Sequence, residues 1–253
     1  MRYLILAAIL FVSCSAVLAQ DIFMGPFTAT AAAAGEDTVR FGGADSALTE
    51  PSATDSVYTL TTTVPAGTNE YSVFGFVEWM LHCDVLHTDS VTVDRIAGGA
   101  QSKCDSLTQI NESAGNTVGL YGAILDPGSH TFKVFNGRTG ATTLCIVMGA
   151  AHFFGVNQTT PATSSTNGTA TSATAHVAIA NTLGNWAVDL VETSVGPRTL
   201  TPKSPSAIAW TEHDLDGEYA VMAYKNAADT ADSCTINTST VWRMLATSVQ
   251  KRP

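Results

Sequence analysis

The segment TTLCIVMGAAHFFGVNQTTP, residues Thr142–Pro161, is the most informative part of the chain. It is an apolar run that stops abruptly at a polar Asn-Gln-Thr-Thr-Pro corner. A segment this dense in Val, Ile, Phe and small residues is typical of a strand that is buried inside a sheet. We therefore expect this segment to form the central strand of a β-sandwich.

The segments around this strand also have the pattern of strands separated by turns. Val57–Val64 alternates polar and apolar residues, and helical periodicity is almost absent from the chain. Asp126-Pro127-Gly128 predicts a type II turn that joins Asn116–Leu125 and His130–Phe135 in a hairpin. Ser164–Ala173 contains only polar and small residues, which predicts an exposed loop. The predicted fold class is all-β, an antiparallel, jelly-roll-like β-sandwich in one domain with an N-terminal extension.

The start of the chain has the features of a secretory signal peptide. Met1-Arg2 is followed by the apolar stretch Tyr3–Val12 and by small residues up to Ala19, where we expect cleavage. The alternative is a bacterial lipoprotein signal with a lipid on Cys14, although Phe11 is a poor match to that pattern. The predicted organisation is a signal peptide at 1–19, an extension or first strands at 20–56, and the sandwich domain at 57–253.

The composition favours a secreted protein that binds neither nucleic acid nor anionic membrane surfaces. The formal net charge is −10, which repels phosphate groups. Only 13% of the residues are charged and 45% are hydrophobic, which is typical of a β-rich extracellular domain. The sequence after the signal peptide contains no apolar run of membrane-spanning length.

Four cysteines remain after cleavage at Ala19: Cys83, Cys104, Cys145 and Cys234. An even number in an exported protein predicts two disulfide bonds, for which three pairings are possible. We expect Cys83–Cys104, which closes a local loop, and Cys145–Cys234, which ties the central strand to a late one. A thiolate metal site or a reactive cysteine is the alternative, but the chain has no Cys-x-x-Cys pair.

Several motifs resemble a largely uncharacterised β-sandwich module that occurs in secreted bacterial and archaeal proteins and in phage particle proteins. The most specific is GAAHFFGVNQTTP, Gly149–Pro161, although the module usually has Asp at the position of Asn157. The other similar segments follow in the same order: Asp126–Thr131, Gly184–Asp189, Tyr224-Lys225 and Val241–Thr247. The resemblance covers about Val57 to Val249. It implies a β-sandwich that builds surface or particle structures, and it supplies no catalytic residues.

Two clusters contain residue types that bind metals. Asp214, Asp216 and Glu218, with Glu212 before them, flank Gly217, and closely spaced carboxylates at a turn suit calcium. The spacing differs from an EF-hand, so an acidic hairpin turn is the alternative. His82, Asp84 and His87 could approach a zinc ion, but a polar loop beside a disulfide is the favoured explanation. We therefore expect no cofactor, with a structural calcium ion as the alternative.

Sugar chemistry provides two further hypotheses. Glu78, Glu192, Glu212 and Asp189 are candidates for the carboxylate pair of a glycosidase, and Glu78 lies in the apolar segment FGFVEWML, where burial would raise its pKa. The simpler interpretation, which we favour, is that Glu78 faces solvent. A glycan-binding module would present exposed aromatic rings, for which Trp79 and Trp210 are candidates, whereas Trp186 and Trp242 are expected in the core.

The sequence lacks the motifs of the common hydrolases, zinc proteases and phosphate-binding enzymes. We therefore expect a non-enzymatic structural or adhesive protein of a surface assembly, filament or virus particle. Its expected partners are further copies of itself or another surface protein. Self-assembly would use an unpaired edge strand or the apolar segment Ile22–Ala34. A glycan-binding module is the first alternative, and a sugar-active hydrolase is the second.

Overall fold

The computed structural model describes residues 38–49, 57–81, 90–111, 116–135, 142–193, 198–213, 219–226, 228 and 231–253. They belong to one compact unit, Ala33–Pro253. The ordered elements of this part are β-strands in antiparallel sheets, which confirms the predicted fold class. Numbered along the chain, the strands are β1 (Arg40–Thr49), β2 (Val57–Val64), β3 (Tyr71–Leu81), β4 (Ser90–Asp94), β5 (Gln101–Lys103), β6 (Asp105–Asn111), β7 (Asn116–Ala123), β8 (Gly128–Phe135), β9 (Thr142–Phe154), β10 (Ala162–Ala178), β11 (Trp186–Thr193), β12 (Leu200–Pro202), β13 (Ala207–His213), β14 (Tyr219–Lys225) and β15 (Ala231–Val249).

The sandwich has three sheets rather than two, and the middle one contains the most informative segment of the chain. Its strand order is β1-β9-β3-β7-β6, so β9 is an interior strand with two neighbours, and the central position that we expected for it belongs to β3. Every described side chain of β3 and β7 is buried, as is nearly every one of β9. Burial on both faces explains why β9 reads as a continuous apolar run instead of an alternating one.

A four-stranded sheet, β2-β8-β4-β5, covers one face of the middle sheet. Its strands alternate: in β2, Tyr58, Leu60 and Val64 are buried, and the residues between them are polar. The buried side chains pack with Phe74 and Phe76 of β3 in one hydrophobic cluster. The alternation follows from a sheet with one face on the core and one face in water.

The third sheet, β10-β15-β11-β14-β13, covers the other face. Leu190 of β11 and Met222 of β14 pack against Val73 and Val77 of β3 in a second cluster. The ladder between β10 and β15 then shifts register, from Ser172 opposite Thr240 to Thr174 opposite Thr235.

Beyond this shift, the first half of β15 pairs with β12 and with the second half of β10. A third hydrophobic cluster forms there from Cys234 and Ile236 of β15 together with Val191 and Val221 of the sheet. By strand alternation, Val191 and Val221 point away from the second cluster. The bent ribbon of β10 and β15 therefore covers the outer face of the third sheet.

Two local predictions were wrong. β7 pairs with β3 and β6, whereas β8 pairs with β2 and β4, so the Asp126-Pro127-Gly128 turn carries the chain between sheets and forms no hairpin. Ser164–Ala173 lies within β10 instead of forming a loop. Thr is a strand-favouring residue, and pairing with β15 satisfies the backbone of this polar segment.

The predicted signal peptide, Cys14 and Ile22–Ala34 lie outside the described residues. β1 falls within the segment 20–56 and pairs with β9 along its length. The described part of the chain has no helix long and apolar enough to cross a membrane.

Candidate functional site

Three ionisable side chains meet under the folded-over half of β15. Lys225 ends the otherwise apolar β14, Asp189 lies in the middle of β11, and Asp232 is the second residue of β15. Lys225 Nζ lies 3.2 Å from Asp232 Oδ1 and donates a hydrogen bond of 2.7 Å to the carbonyl oxygen of Ala231. Lys225 is 5% exposed, and each Asp is 1% exposed. We call these three residues the buried Lys–Asp cluster.

The strand register explains how the cluster forms. Asp189 is directly opposite Ala223 in the neighbouring strand β14. Lys225 is two residues further along β14, so its side chain emerges on the same face as that of Asp189. Asp232 arrives from the ribbon that covers this face. The cluster is therefore built by the bend in β15, which brings residues from three strands together.

The electrostatics of Asp189 are unusual. Its pKa is raised well above the ordinary value, first because burial disfavours the charged carboxylate, and then because of the charge of Asp232 and a hydrogen bond with it. Lys225 acts in the opposite direction. Neither oxygen of Asp189 meets a nitrogen or hydroxyl donor among the described residues. The raised pKa favours the protonated form of Asp189, and Asp232 Oδ1 lies against the ammonium group of Lys225.

A second buried ion pair lies on the opposite face of the same sheet. Arg243 Nη1 of β15 donates a hydrogen bond of 2.7 Å to Glu192 Oε2 of β11, its direct neighbour in the ladder. Glu192 is completely buried and Arg243 is 4% exposed. The guanidinium group of Arg stays protonated and is not a nucleophile at neutral pH. The pair is therefore a structural interaction.

A chain of hydroxyl and imidazole groups links the middle sheet to the four-stranded sheet. Ser72 Oγ lies 2.7 Å from His152 Nδ1, and His152 Nε2 lies 2.7 Å from Thr62 Oγ1. Thr62 Oγ1 donates to Asp45 Oδ2 at 2.6 Å. Burial lowers the pKa of His152 to about 4. The residue types are those of a hydrolase triad, but Ser72 is completely buried, so a substrate cannot reach its hydroxyl.

Neither predicted disulfide is present. Cys104 and Cys234 are free, buried thiols, and each of the two expected bridges contained one of them. For the second bridge the fold gives the reason: Cys145 lies in β9 of the middle sheet, whereas Cys234 belongs to the cluster on the outer face of the third sheet. Cys83, together with the suggested zinc ligands His82, Asp84 and His87, lies outside the described residues.

The predicted sugar platform at Trp210 is also wrong. Trp210 is only 5% exposed and belongs to the core between the middle and third sheets. Trp242 is buried as expected, and Trp186 is half-buried against Tyr224. The side chain of Trp79 lies outside the described part of the structure.

The four candidate glycosidase carboxylates do not form a pair around a cleft. Glu78 is completely buried, which corrects the expectation that it faces solvent. Glu192 is engaged with Arg243, and Asp189 points to the opposite face of β11. Glu212 accepts a hydrogen bond of 2.6 Å from Ser46 of β1.

The proposed calcium ligands Asp214, Asp216 and Glu218 lie outside the described residues. Within the described residues, no three His, Cys, Asp or Glu side chains converge in a way that could hold a metal ion. The buried Lys–Asp cluster is the site that sequence reasoning missed, since only Asp189 was considered there. A signal was available, because Lys225 and Asp189 are charged residues within the apolar strands YAVMAYK and WAVDLVET.

The chain matches no protein-family model and no curated protein sequence. Among solved structures, a structure of infectious bursal disease virus, Gx strain, aligns with 9% identity and a TM-score of 0.27. The alignment covers 85% of this chain and 40% of the viral one, so the chain spans about two fifths of that protein. A similarity of this size supports no inference about function.

Proposed function

We propose that this protein is a non-enzymatic structural module of an extracellular assembly, built from copies of the same chain that associate through the edge strand β10. Terminal strands of sheets carry backbone groups that can pair with another chain, and proteins usually protect them with Lys, Pro or short length. β10 has none of these protections. It is 17 residues long, and it contains no Pro and no Asp, Glu, Lys or Arg.

The charge of the chain supports a second copy as the partner of this strand. Copies with a net charge of −10 repel one another, so contact between them is favoured at a surface without carboxylates. The exposed residues Thr169, Ala170 and Thr171 provide such a surface on β10. Nearby, Asn167 Nδ2 donates to Thr108 Oγ1 of β6 at 2.8 Å, which holds this edge beside the middle sheet. The edge is thus fixed in position before a partner arrives.

The test is the molar mass in solution as a function of concentration, measured by light scattering. The wild-type chain should form oligomers, and the double variant Thr169→Lys and Thr171→Lys should remain monomeric, because two positive charges on each edge repel each other. Ser129→Lys is the matched control, since Ser129 is exposed on β8, which has neighbours on both sides. A monomeric wild-type chain at all concentrations, or oligomers unaffected by the β10 charges, would overturn the proposal.

A further inference from the structure

We propose that Lys225 and Asp232 join in an intramolecular isopeptide bond, with Asp189 as the group that moves the protons. The reaction would be a self-modification that follows folding and requires no other protein. It does not depend on the proposed assembly function, and either one can fail without the other.

The geometry supplies the first part of the argument. Lys225 Nζ and Asp232 Oδ1 are already in contact at 3.2 Å, and the surrounding strands hold both side chains in place. Fixing an amine against a carboxyl group gives the pair a high effective concentration, which is the main requirement for a condensation that is slow in water. The hydrogen bond from Lys225 Nζ to the carbonyl oxygen of Ala231 further limits the positions that the amine can occupy.

The surroundings supply the second part. The cluster is almost completely buried beside the apolar residues Val191, Val221 and Cys234. Separated charges are costly in such a place, whereas an amide is neutral and requires only hydrogen bonds. Exclusion of bulk water also protects an amide from hydrolysis. Burial therefore favours the condensed product over the ion pair.

Asp189 completes the chemistry. Its protonated carboxyl group can hydrogen-bond to Asp232 and make the carbon atom Cγ more electrophilic. Transfer of one ammonium proton to the Asp232 carboxylate gives Lys225 Nζ a lone pair, which then forms the bond to Asp232 Cγ, and the bond from Cγ to one carboxyl oxygen breaks. In the whole reaction, the ammonium group gives up two protons, and the departing oxygen leaves with them as water. Asp189 gives one proton and receives one, so it ends unchanged, and the reaction needs no oxidant or cofactor.

The product would have a structural consequence. The bond ties the end of β14 to the start of β15, where the ribbon folds over the third sheet. It would lock the ribbon onto the third hydrophobic cluster.

The test is peptide mapping of the purified full-length chain by mass spectrometry after reduction and alkylation. Trypsin cleaves after a free lysine, but it cannot cleave after Lys225 once the side chain is an amide. The expected product is one peptide from Ser204 to Arg243 that is lighter than its sequence by one water molecule. Cleavage after Lys203, which is exposed, shows that the digestion is complete. Cleavage after Lys225, with peptides that have the full masses of their sequences, would show a simple ion pair and overturn the proposal.

Two variants test the roles of the residues, and circular dichroism shows whether each is folded. Asp189→Asn should lose the cross-link completely while Lys225 and Asp232 remain, and Lys225→Arg should lose it because a guanidinium is not a nucleophile at neutral pH. Asp105→Asn, which removes an exposed carboxylate from β6, is the matched control and should remain cross-linked. If folded Asp189→Asn still carries the bond, the role assigned to Asp189 is wrong. The peptide map of the wild-type chain tests the bond itself, even if a variant does not fold.

Discussion

The indole ring of Trp210 lies directly on the backbone of Gly149. A β-carbon added to Gly149 would lie 2.2 Å from Trp210 Cε2 and 2.4 Å from Nε1, far inside van der Waals contact. The small residues in the middle of β9 therefore have a steric role, since they leave room for a large side chain from the third sheet. Trp210 can occupy the core because Gly149 has no side chain.

This contact predicts that Gly149→Ala destabilises the protein. The added methyl group must displace a rigid ring in a packed core, and overpacking of this kind typically costs about 1–3 kcal/mol. The free energy of unfolding, measured by urea denaturation, should fall by that amount.

A double-mutant cycle tests the cause. Trp210→Leu removes the ring, so Gly149→Ala should cost much less in that background than in the wild-type chain. Equal costs in the two backgrounds would show that the glycine is required for another reason.

His152 predicts a loss of stability as the solution becomes acidic. Its pKa falls from 6.5 to about 4 on folding, first because burial disfavours the imidazolium, and also because of His130, while Asp45 opposes the shift. The unfolded chain therefore binds a proton that the folded chain does not bind between these two values. The contribution of this difference to the free energy of unfolding is complete above pH 6.5. It decreases as the pH falls towards 4, by about 3 kcal/mol in total.

The measurement is the free energy of unfolding between pH 7 and pH 4 for the wild-type chain and for His152→Asn. The variant should show a shallower dependence, because it has lost the titrating group. His176→Gln is the control, since His176 is exposed in β10, and it should keep the wild-type slope. If His152→Asn and the wild-type chain have parallel curves, the imidazole is not held neutral by the fold.

The sequence predicted the fold class because hydrophobic periodicity follows directly from burial. β2 alternates since one of its faces is in water, and β9 does not alternate since both of its faces are covered. The same hydrophobic patterns did not predict three sheets. They indicate which faces of a strand are buried, but they do not indicate which sheet covers each face. The Asp126-Pro127-Gly128 turn shows the limit: Gly128 has the positive φ that was expected, but the strands on either side belong to different sheets.

The candidate site was harder to predict for a related reason. Lys225, Asp189 and Asp232 come from three strands, and they meet only because β15 bends between Thr235 and Thr240. No local pattern predicts a bend of this kind from one sequence. The disulfide prediction failed for a similar reason. It rested on the expected export of the protein and on the even number of cysteines, and neither gives the distance between two cysteines.

The Glu192–Arg243 pair predicts a large penalty when one partner is removed. Arg243→Met leaves Glu192 as a buried carboxylate without its counter-ion, which typically costs about 3–5 kcal/mol. The double variant Glu192→Leu and Arg243→Met should recover most of this loss, because it replaces two buried charges by apolar side chains of similar volume. Urea denaturation of the single and double variants measures both effects. A double variant as unstable as the single one would indicate that the hydrogen bonds of the pair, and not its charges, hold β11 to β15.

The thiols of Cys104 and Cys234 should be unreactive in the folded protein and reactive after unfolding. Burial is the first cause that raises the pKa of each thiol to about 12, so almost none of the reactive thiolate is present at neutral pH. Iodoacetamide at pH 8 without reductant should leave both cysteines unmodified in buffer and modify both in concentrated guanidinium chloride, as read by peptide mass spectrometry. Cysteines that stay unmodified in guanidinium chloride until a reductant is added would instead be disulfide-bonded. That outcome would restore the two disulfide bonds expected from the sequence and contradict the free thiols of the structure.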